Sequence, residues 1–276
     1  MTQADDFGAG ITADGLVVVR SSDAARRLGV QDPCASWFVT EEGRRLHATA
    51  LEVDPLYETF NLVRFGYTTG LLAARATEFE QILLLGAGFD CRALWLDALG
   101  AGSCRVFEVD RADKLEQKRR VLEVHGVEVP HHDRLIAADL RTTEDARVAL
   151  VTAGYDPTRP AFVIAEGLLF FLPTDTTRAL LDPSCLGLAP GSRLVFDCWA
   201  EKRVRTLNER LLERMDRSLF QPFPWTVSPA PIERALHDLG YRDVTVQSLD
   251  TLSEWYEGQP VADEFPDSWV VVEAVR

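Results

Sequence analysis

The sequence has few cysteines, no cysteine motif and no excess of basic residues. Its five cysteines are scattered over 276 residues and form no C-x-x-C pair. No group of cysteines and histidines has the spacing of a zinc site, so we expect reduced thiols and no bound metal. A net charge of −14 disfavours nucleic acid, whose binding needs a basic surface, and it also disfavours anionic membranes.

Long apolar runs are missing as well. No segment approaches the roughly eighteen apolar residues that a membrane helix needs. The first ten residues, MTQADDFGAG, lack the basic and apolar regions of a signal peptide. We therefore expect a cytoplasmic protein. Hydrophobic residues make up 46% of the chain, which is enough to build a sizeable core.

The most informative stretch is QILLLGAGFDCR, residues 81–92. Its apolar run Ile82–Leu85 is typical of a strand that is buried on both faces of a parallel sheet. Gly86 and Gly88 then predict a tight turn, where the missing β-carbon lets the backbone approach a ligand. A second apolar run, VFEVD, ends at Asp110. Strand, glycine turn, helix, strand and acid together are the layout of a nucleoside-binding α/β site.

The glycine turn departs from the dinucleotide-binding fingerprint G-x-G-x-x-G. Cys91 occupies the third small position, and the carboxylate of Asp90 before it would repel a pyrophosphate. S-adenosylmethionine (SAM) carries a sulfonium, an ammonium and no phosphate, so the pattern favours SAM over a nicotinamide dinucleotide. A dehydrogenase of the Rossmann type stays open as the alternative.

Strands and helices alternate through the middle of the chain, which predicts a parallel, doubly wound α/β sheet. The five predicted strands are Ile82–Leu85, Arg105–Val109, Arg134–Ala137, Ala161–Ala165 and Leu194–Cys198. The predicted helices between and after them cover residues 90–99, 112–124, 144–153 and 174–181.

The N-terminal region does not follow this alternation. Helical pieces between residues 22 and 75 predict a cap that lies beside the sheet. The first twenty residues are predicted to be loose, with Gly15–Arg20 as a short extended segment because it is rich in valine.

The C-terminal region also differs. A long helix over Glu201–Leu219 and a proline-aromatic loop over residues 221–229 predict an insertion at the ligand-binding edge of the sheet. Two late strands, Val244–Ser248 and Trp269–Val275, are predicted to form a hairpin that is joined by a loop and not by a helix. The last strand should lie antiparallel in the sheet.

Four segments resemble the leucine carboxyl methyltransferase family, and most closely its bacterial branch of polyketide-type O-methyltransferases. They are LLLGAGFDCRALWL, VFEVDRADKLEQKRRVL, AADL and IAEGLLFFLP, in this order along the chain. The chain departs from the family's usual pattern at Phe89, where Leu is common, and at Cys91, where Thr is common. The resemblance implies a class I SAM methyltransferase with a seven-stranded Rossmann-like sheet and a terminal antiparallel strand.

The resemblance further implies one SAM-dependent methyltransferase domain over residues 1–276. We predict four parts within it: a helical cap over 1–78, a cofactor-binding core over 79–199, a lid insertion over 200–228, and a C-terminal helix with strands over 229–276.

SAM is the cofactor that the resemblance implies, and the glycine turn and the second strand should hold its two ends. Gly86, Ala87 and Gly88 should lie under the methionine part of SAM. Asp110 should accept hydrogen bonds from both ribose hydroxyls, since one carboxylate has enough acceptor sites for a vicinal diol. Glu108 is the competing acid for this role.

Four further residues receive cofactor roles from the resemblance. Asp139 should meet the adenine amino group, with Leu140 packed on the ring; a helix cap is the alternative for Asp139. Glu166 should approach the amino end of SAM, because a carboxylate at the end of an apolar strand needs a cationic partner. Arg64 should pair with the SAM carboxylate through its bidentate geometry, or else be an ordinary surface arginine.

No residue is a strong candidate for a catalytic base. Of the five histidines, His47 in the cap is the one to consider, and Tyr67 shares a predicted helical face with Arg64. A carboxylate acceptor is ionised at neutral pH and needs no base, whereas a phenol does. The lack of a convincing histidine therefore favours carboxyl methylation. Residues predicted to line the acceptor pocket are Trp199, Phe223 and Trp225.

The sequence thus predicts a SAM-dependent O-methyltransferase that acts on a carboxylate or hydroxyl of a small, polyketide-like secondary metabolite, as in antibiotic biosynthesis. A protein C-terminal carboxyl methyltransferase and a SAM-binding protein without methylation chemistry stay open. The expected partner is a small-molecule acceptor and neither nucleic acid nor a membrane; a homodimer stays open.

Overall fold

The computed structural model of the chain describes residues 7–214, 222–223, 230–258, 264 and 268–276. Seven strands in this part of the chain form one mixed sheet. The strands are β1 (Gln81–Leu85), β2 (Arg105–Asp110), β3 (Asp133–Ala137), β4 (Phe162–Ala165), β5 (Arg193–Trp199), β6 (Arg242–Ser248) and β7 (Trp269–Val275). The α-helices are α1 (Phe7–Arg20), α2 (Asp23–Leu28), α3 (Glu41–Val53), α4 (Tyr57–Arg75), α5 (Ala112–Val124), α6 (Thr143–Thr152), α7 (Thr174–Leu181), α8 (Glu201–Arg214), α9 (Ile232–Asp238) and α10 (Leu249–Glu257).

The sheet has the strand order β3-β2-β1-β4-β5-β7-β6. The first five strands are parallel, and β7 inserts antiparallel between β5 and β6. The order reverses between β1 and β4, which is the point where ligands bind in open α/β sheets. The predicted doubly wound α/β fold with a terminal antiparallel strand is therefore confirmed.

The apolar strands lie in the middle of the sheet because both of their faces are covered. Every residue of β1 is buried, and so is every residue of β4. Along β1 the side chains alternate between two hydrophobic clusters: Ile82 and Leu84 pack on one face of the sheet, Leu83 and Leu85 on the other. This two-sided core fixes the carboxyl ends of β1 and β4 next to each other.

The prediction of an extended segment over Gly15–Arg20 is wrong, since these residues belong to α1. The β-branched residues of this segment favour a strand locally, but tertiary packing overrides that preference. Val17 packs against Phe38 and Phe89, while Val19 packs against Leu62 in a different cluster. The valines of α1 are therefore explained by apolar contacts on two sides of the helix, although their local preference is for a strand.

The connection between the two late strands also differs from its prediction. It contains a helix, α10, whose first turn is capped by the Ser248 hydroxyl, which accepts a hydrogen bond from the backbone N–H of Thr251 at 3.3 Å. The strands β6 and β7 pair antiparallel as expected, but with a helix between them.

Two predicted helices differ in kind or length. Residues 90–99 form 3-10 turns over Arg92–Leu99, with non-helical dihedral angles at Trp95 (φ −125°, ψ 27°). The predicted helix Glu201–Leu219 is observed over Glu201–Arg214, and residues 215–219 lie outside the described part. No α-helix in the described ranges is both long and apolar enough to cross a membrane.

A buried ion pair holds α5 against β2. The ammonium of Lys118 donates hydrogen bonds to the carboxylate of Glu108 and to the backbone carbonyl of Asp90, and both charged side chains are about 1% exposed. Burial raises the pKa of Glu108, although Lys118 opposes this. Such a pair is costly to break from one side, because the remaining charge is left without a partner.

We predict that Lys118→Met lowers the free energy of unfolding by about 3 to 5 kcal/mol, because it strands the buried Glu108 carboxylate. The double variant Lys118→Met/Glu108→Leu should recover most of this loss, since an apolar pair needs no counter-charge. Urea denaturation followed by circular dichroism measures both. A double variant that is no more stable than Lys118→Met would contradict this assignment.

Candidate functional site

A cleft of about 210 Å³ opens at the carboxyl ends of β1, β2 and β4. The glycine turn Gly86–Gly88 follows β1, Asp110 ends β2 and Glu166 follows β4. Residues at the carboxyl ends of three separate strands therefore line one cleft. This position is the topological switch point of the sheet. The sequence-predicted residues that line the cleft are Arg64, Gly86, Ala87, Gly88, Asp110, Asp139, Leu140 and Glu166.

The glycine turn forms a narrow floor of the cleft. Gly86 and Gly88 have left-handed backbone angles, with φ of +64° and +49°. A β-carbon on Gly86 would lie 2.7 Å from the Cδ1 atom of Leu168, so there is no room for a side chain. The backbone N–H of Gly88 donates a hydrogen bond of 2.6 Å to Oδ2 of Asp110.

Asp110 is fixed at the edge of the cleft by backbone amides. Its Oδ1 atom accepts a 2.7 Å hydrogen bond from the N–H of Arg111, and its Oδ2 atom accepts the bond from Gly88. Burial raises the pKa of this carboxyl, although the two amide donors oppose the shift. Each oxygen keeps acceptor capacity for one more donor, which suits a vicinal diol. The competing acid Glu108 is paired with Lys118 in the interior and does not line the cleft.

Two arginines hold Glu166 at the opposite side of the cleft. Nε of Arg64 lies 3.3 Å from Oε1 of Glu166, and a terminal nitrogen of Arg92 contacts Oε2. Burial alone would raise the pKa of this carboxyl, but the two guanidinium groups outweigh it and lower the pKa. Glu166 therefore stays ionised inside the protein.

Asp197 of β5 completes this network and was not predicted from the sequence. Its Oδ2 atom accepts hydrogen bonds from Nη1 of Arg64 (2.9 Å) and from the indole N–H of Trp269 (3.2 Å). Its Oδ1 atom accepts from the backbone N–H of Gly167 at 2.6 Å. The available signal was an acid inside the apolar strand VFDCW, which needs partners for the same reason as Glu166.

Arg20 and Arg92 were missed as well. Arg92 is buried with its guanidinium 4.6 Å from the centre of the Phe65 ring and beside the carboxylate of Asp90. Arg20, at the end of α1, lines the cleft and donates a 3.1 Å hydrogen bond to the backbone carbonyl of Phe89. The prediction of a loose N-terminus hid Arg20, since it left that segment without a place in the site.

Asp139 and Leu140 lie on the β3 side of the cleft. The Asp139 carboxylate pairs with Arg141, at 2.8 Å from Nη2, and accepts the backbone N–H of the same residue. This contact lowers the pKa of Asp139. The helix-cap alternative for Asp139 is wrong, because the residue that precedes α6 is Thr142.

The structure does not bring the two candidates for a base into the cleft. His47 lies in α3, with Nε2 at 3.8 Å from Glu58, and burial lowers its pKa. Tyr67 is buried in α4, and its ring centre lies 6.0 Å from that of Trp255. Neither side chain lines the cleft.

Two of the three predicted acceptor-pocket residues, Trp199 and Phe223, lie behind the cleft wall. Trp199 stacks on Phe170 with ring centres 4.6 Å apart, and Phe223 packs edge-on against Phe171 at 5.2 Å. Phe171 lines the cleft, whereas Trp199 and Phe223 support it from the core. Trp225 lies outside the described residues.

Comparisons with known proteins agree with this geometry. The sequence model of the family "Leucine carboxyl methyltransferase" matches residues 16–184. A protein of Streptomyces coelicolor, named as a candidate SAM-dependent methyltransferase, is 34% identical over 73% of this chain and 69% of its own length. A protein of Mycobacterium ulcerans with the same description is 35% identical over 95% of this chain and 81% of its own length. For a relative from Mycolicibacterium smegmatis the matched region is 60% of its length.

Two crystal structures share the fold. A candidate methyltransferase from Thermobifida fusca aligns with a TM-score of 0.63 at 20% identity, over 94% of both chains. A DUF574 family protein from Streptomyces avermitilis also gives a TM-score of 0.63, at 14% identity, over 94% of this chain and 99% of its own. At these identities the likeness concerns the fold alone.

The alternative of a Rossmann-type dehydrogenase is set aside by the family match and by these relatives, which are named as candidate SAM-dependent methyltransferases. The family match extends from α1 through the glycine turn, Asp110 and Glu166 to the end of α7, and so covers most of the residues that line the cleft. The chain belongs to the leucine carboxyl methyltransferase family and is a SAM-dependent methyltransferase.

Proposed function

We propose that this enzyme methylates an oxygen of a small organic acceptor, and that the preferred oxygen is a carboxylate. The observation that carries this proposal concerns the groups that could act as a base: the described residues that line the cleft include no histidine and no tyrosine, and their lysine, Lys114, is paired with Asp14. The carboxylates there are engaged by arginines or backbone amides. A carboxylate acceptor is already ionised, so it does not need to lose a proton during the reaction.

The residues present fit the cofactor. SAM supplies a methyl group that its sulfonium has already activated, so the protein has to align the acceptor and keep water out. The two glycines of the turn line the cleft with backbone, and Asp110 offers two oxygens for the ribose hydroxyls. Asp139 and Leu140 line the same cleft, and we assign the adenine ring to them.

The opposite end of the cleft suits an amino acid. Glu166 is ionised and can accept a hydrogen bond from an ammonium group. Among the described residues, no carboxylate is hydrogen-bonded to Nη2 of Arg64, which leaves this nitrogen to a ligand carboxylate. Asp197 fixes the same guanidinium from behind, so that Arg64 is held in place before a ligand arrives.

Part of the lining of the cleft is apolar and can contact the acceptor. It includes Leu16, Leu168, Phe171, Leu172 and Pro222. Arg20 and Asn61 add polar groups to this lining, and Arg20 is a cation that can pair with an acceptor carboxylate. An apolar body with one acidic group fits such a wall, and the motif resemblance to polyketide-type enzymes supports a polyketide-like acid.

A protein C-terminal carboxylate is the second candidate acceptor, because the matched family is described as acting on leucine carboxyl groups. The lack of a base fits this acceptor equally well. The two candidates therefore differ in the body of the acceptor and not in the reacting group.

We predict methyl ester formation when the full chain is incubated with SAM and a panel of aromatic and polyketide acids. The rate should change little from about pH 6 to about pH 8, because a carboxylate is ionised throughout this range. Matched phenols without a carboxyl group, and a peptide with a C-terminal leucine, serve as comparison acceptors, with products identified by mass spectrometry. Transfer only to phenols, at a rate that rises with pH, would overturn the carboxylate preference, and transfer only to the peptide would favour the second candidate.

We predict that the affinity for S-adenosylhomocysteine falls on acidification. This fall should begin at a higher pH than it would for an aspartate with an ordinary pKa. The raised pKa of Asp110 means that its carboxylate is present above that pKa and is protonated as the pH falls through it. Asp110→Asn should bind about tenfold to a hundredfold more weakly and lose this pH dependence. Titration calorimetry measures both effects, with Asp113→Asn, an exposed acid nearby, as the control. Unchanged affinity in Asp110→Asn would refute the ribose role.

A further inference from the structure

Three buried side chains meet where the N-terminal cap contacts the glycine turn. The sulfur atoms of Cys34 and Cys91 and a carboxylate oxygen of Asp32 all lie within 4.8 Å of one another. Cys34 precedes the 3-10 helix Ala35–Phe38, and Cys91 precedes the 3-10 helix Arg92–Leu99. Two thiols that are far apart in sequence are therefore neighbours beside the glycine turn.

Local hydrogen bonds hold both cysteines in these positions. The backbone N–H of Cys34 donates to Oδ1 of Asp32 at 3.0 Å, and the thiol of Cys91 lies 3.5 Å from the backbone carbonyl of Phe89. Both sulfur atoms sit in an apolar cluster with Phe38 and Phe89. A disulfide between them requires the two sulfur atoms to approach from within 4.8 Å to about 2.05 Å.

The surroundings favour a neutral product over a bound cation. Nη1 of Arg20 lies 3.7 Å from Oδ2 of Asp32, and the Lys118 ammonium donates to the carbonyl of Asp90, next to Cys91. A metal ion would meet these positive charges in an apolar cluster, whereas a disulfide carries no charge. We propose that Cys34 and Cys91 are a redox-active pair that a small peroxide oxidises to a disulfide. This disulfide would join the N-terminal cap covalently to the segment that follows the glycine turn.

The two thiols are suited to different steps. The neighbouring Cys91 thiol lowers the pKa of Cys34, with help from Lys118 and against burial and Asp32. The proximity of Cys34, together with burial, raises the pKa of Cys91, and Lys118 and Arg20 oppose this less strongly. Cys34 also keeps 6% of its surface exposed while Cys91 keeps none, so a peroxide meets Cys34 first.

The chemistry balances with hydrogen peroxide as the oxidant. The Cys34 thiolate attacks one peroxide oxygen, the O–O bond breaks, and hydroxide leaves and takes up the proton that Cys34 had lost. The resulting sulfenic acid is then attacked by the sulfur of Cys91, the S–O bond breaks, and the second proton leaves with the oxygen as water. Two thiols and one peroxide thus give one disulfide and two water molecules.

The experiment is a peptide map of the full chain after treatment with hydrogen peroxide and alkylation of the remaining thiols. Trypsin cleaves after Arg27 and Arg44, and after Arg75 and Arg92, so that Cys34 and Cys91 are the single cysteines of peptides 28–44 and 76–92. We expect these two peptides to appear as one cross-linked species that a thiol reductant separates. The half-buried Cys185 serves as an internal reference for exposure to peroxide. If Cys34 and Cys91 are still alkylated under conditions that oxidise Cys185, the proposal is overturned.

Two variants test the order of the steps. In Cys91→Ser we expect a Cys34 sulfenic acid that dimedone traps, whereas in Cys34→Ser we expect Cys91 to stay a thiol. Cys104→Ser, which removes a buried cysteine from another cluster, is the matched control and should keep the cross-link. Zinc that co-purifies in equal amount with the wild-type chain and is lost in Cys34→Ser would replace the redox pair by a metal site and refute the proposal.

Discussion

The site depends on one partly buried carboxylate, Glu166, that is held between two arginines. Its negative charge offsets the cost of burying Arg64 and Arg92, and their positive charges keep Glu166 ionised. Asp197 extends the same balance to β5 and, through Trp269, to the antiparallel strand β7. Because Arg64 comes from α4, this charge network fastens the N-terminal cap to the ends of three strands. Removal of one member would leave its neighbours with fewer partners, so the network sets the shape of one end of the cleft.

The cleft has two ends that are built on different principles. The end that we propose for adenosine consists largely of backbone: a turn with two glycines, and amides that orient the carboxylate of Asp110. The end that we propose for the amino acid consists of charged side chains that neutralise one another, with Glu166 at its centre. Between them the described residues provide an apolar wall and no histidine or tyrosine. Such a site suits a methyl donor that is already activated and an acceptor that is already ionised.

The sequence was sufficient where a single segment determines the structure. Apolar runs such as Ile82–Leu85 could only be central strands, and the order of turn and acid located Asp110. It was insufficient where the determining partner is distant: Arg64 and Asp197 are 133 residues apart, and neither position reveals the other. Local propensity also misled at Gly15–Arg20, because valines that favour a strand are buried on two sides of α1. The helix α10 was also missed. It begins at the N-cap Ser248, and a single serine is a weak indication of a helix when no other residue supports it.

The two ends of the cleft can be separated by one calorimetric comparison. Glu166→Gln keeps the size of the side chain and removes its charge, so S-adenosylhomocysteine should bind about tenfold or more weakly, through loss of a charged hydrogen bond. Adenosine, which lacks the amino acid, should bind as it does to the wild-type protein, because the Asp110 end is unchanged. An equal loss of affinity for both ligands, or no loss for either, would contradict the assignment of Glu166 to the amino-acid end.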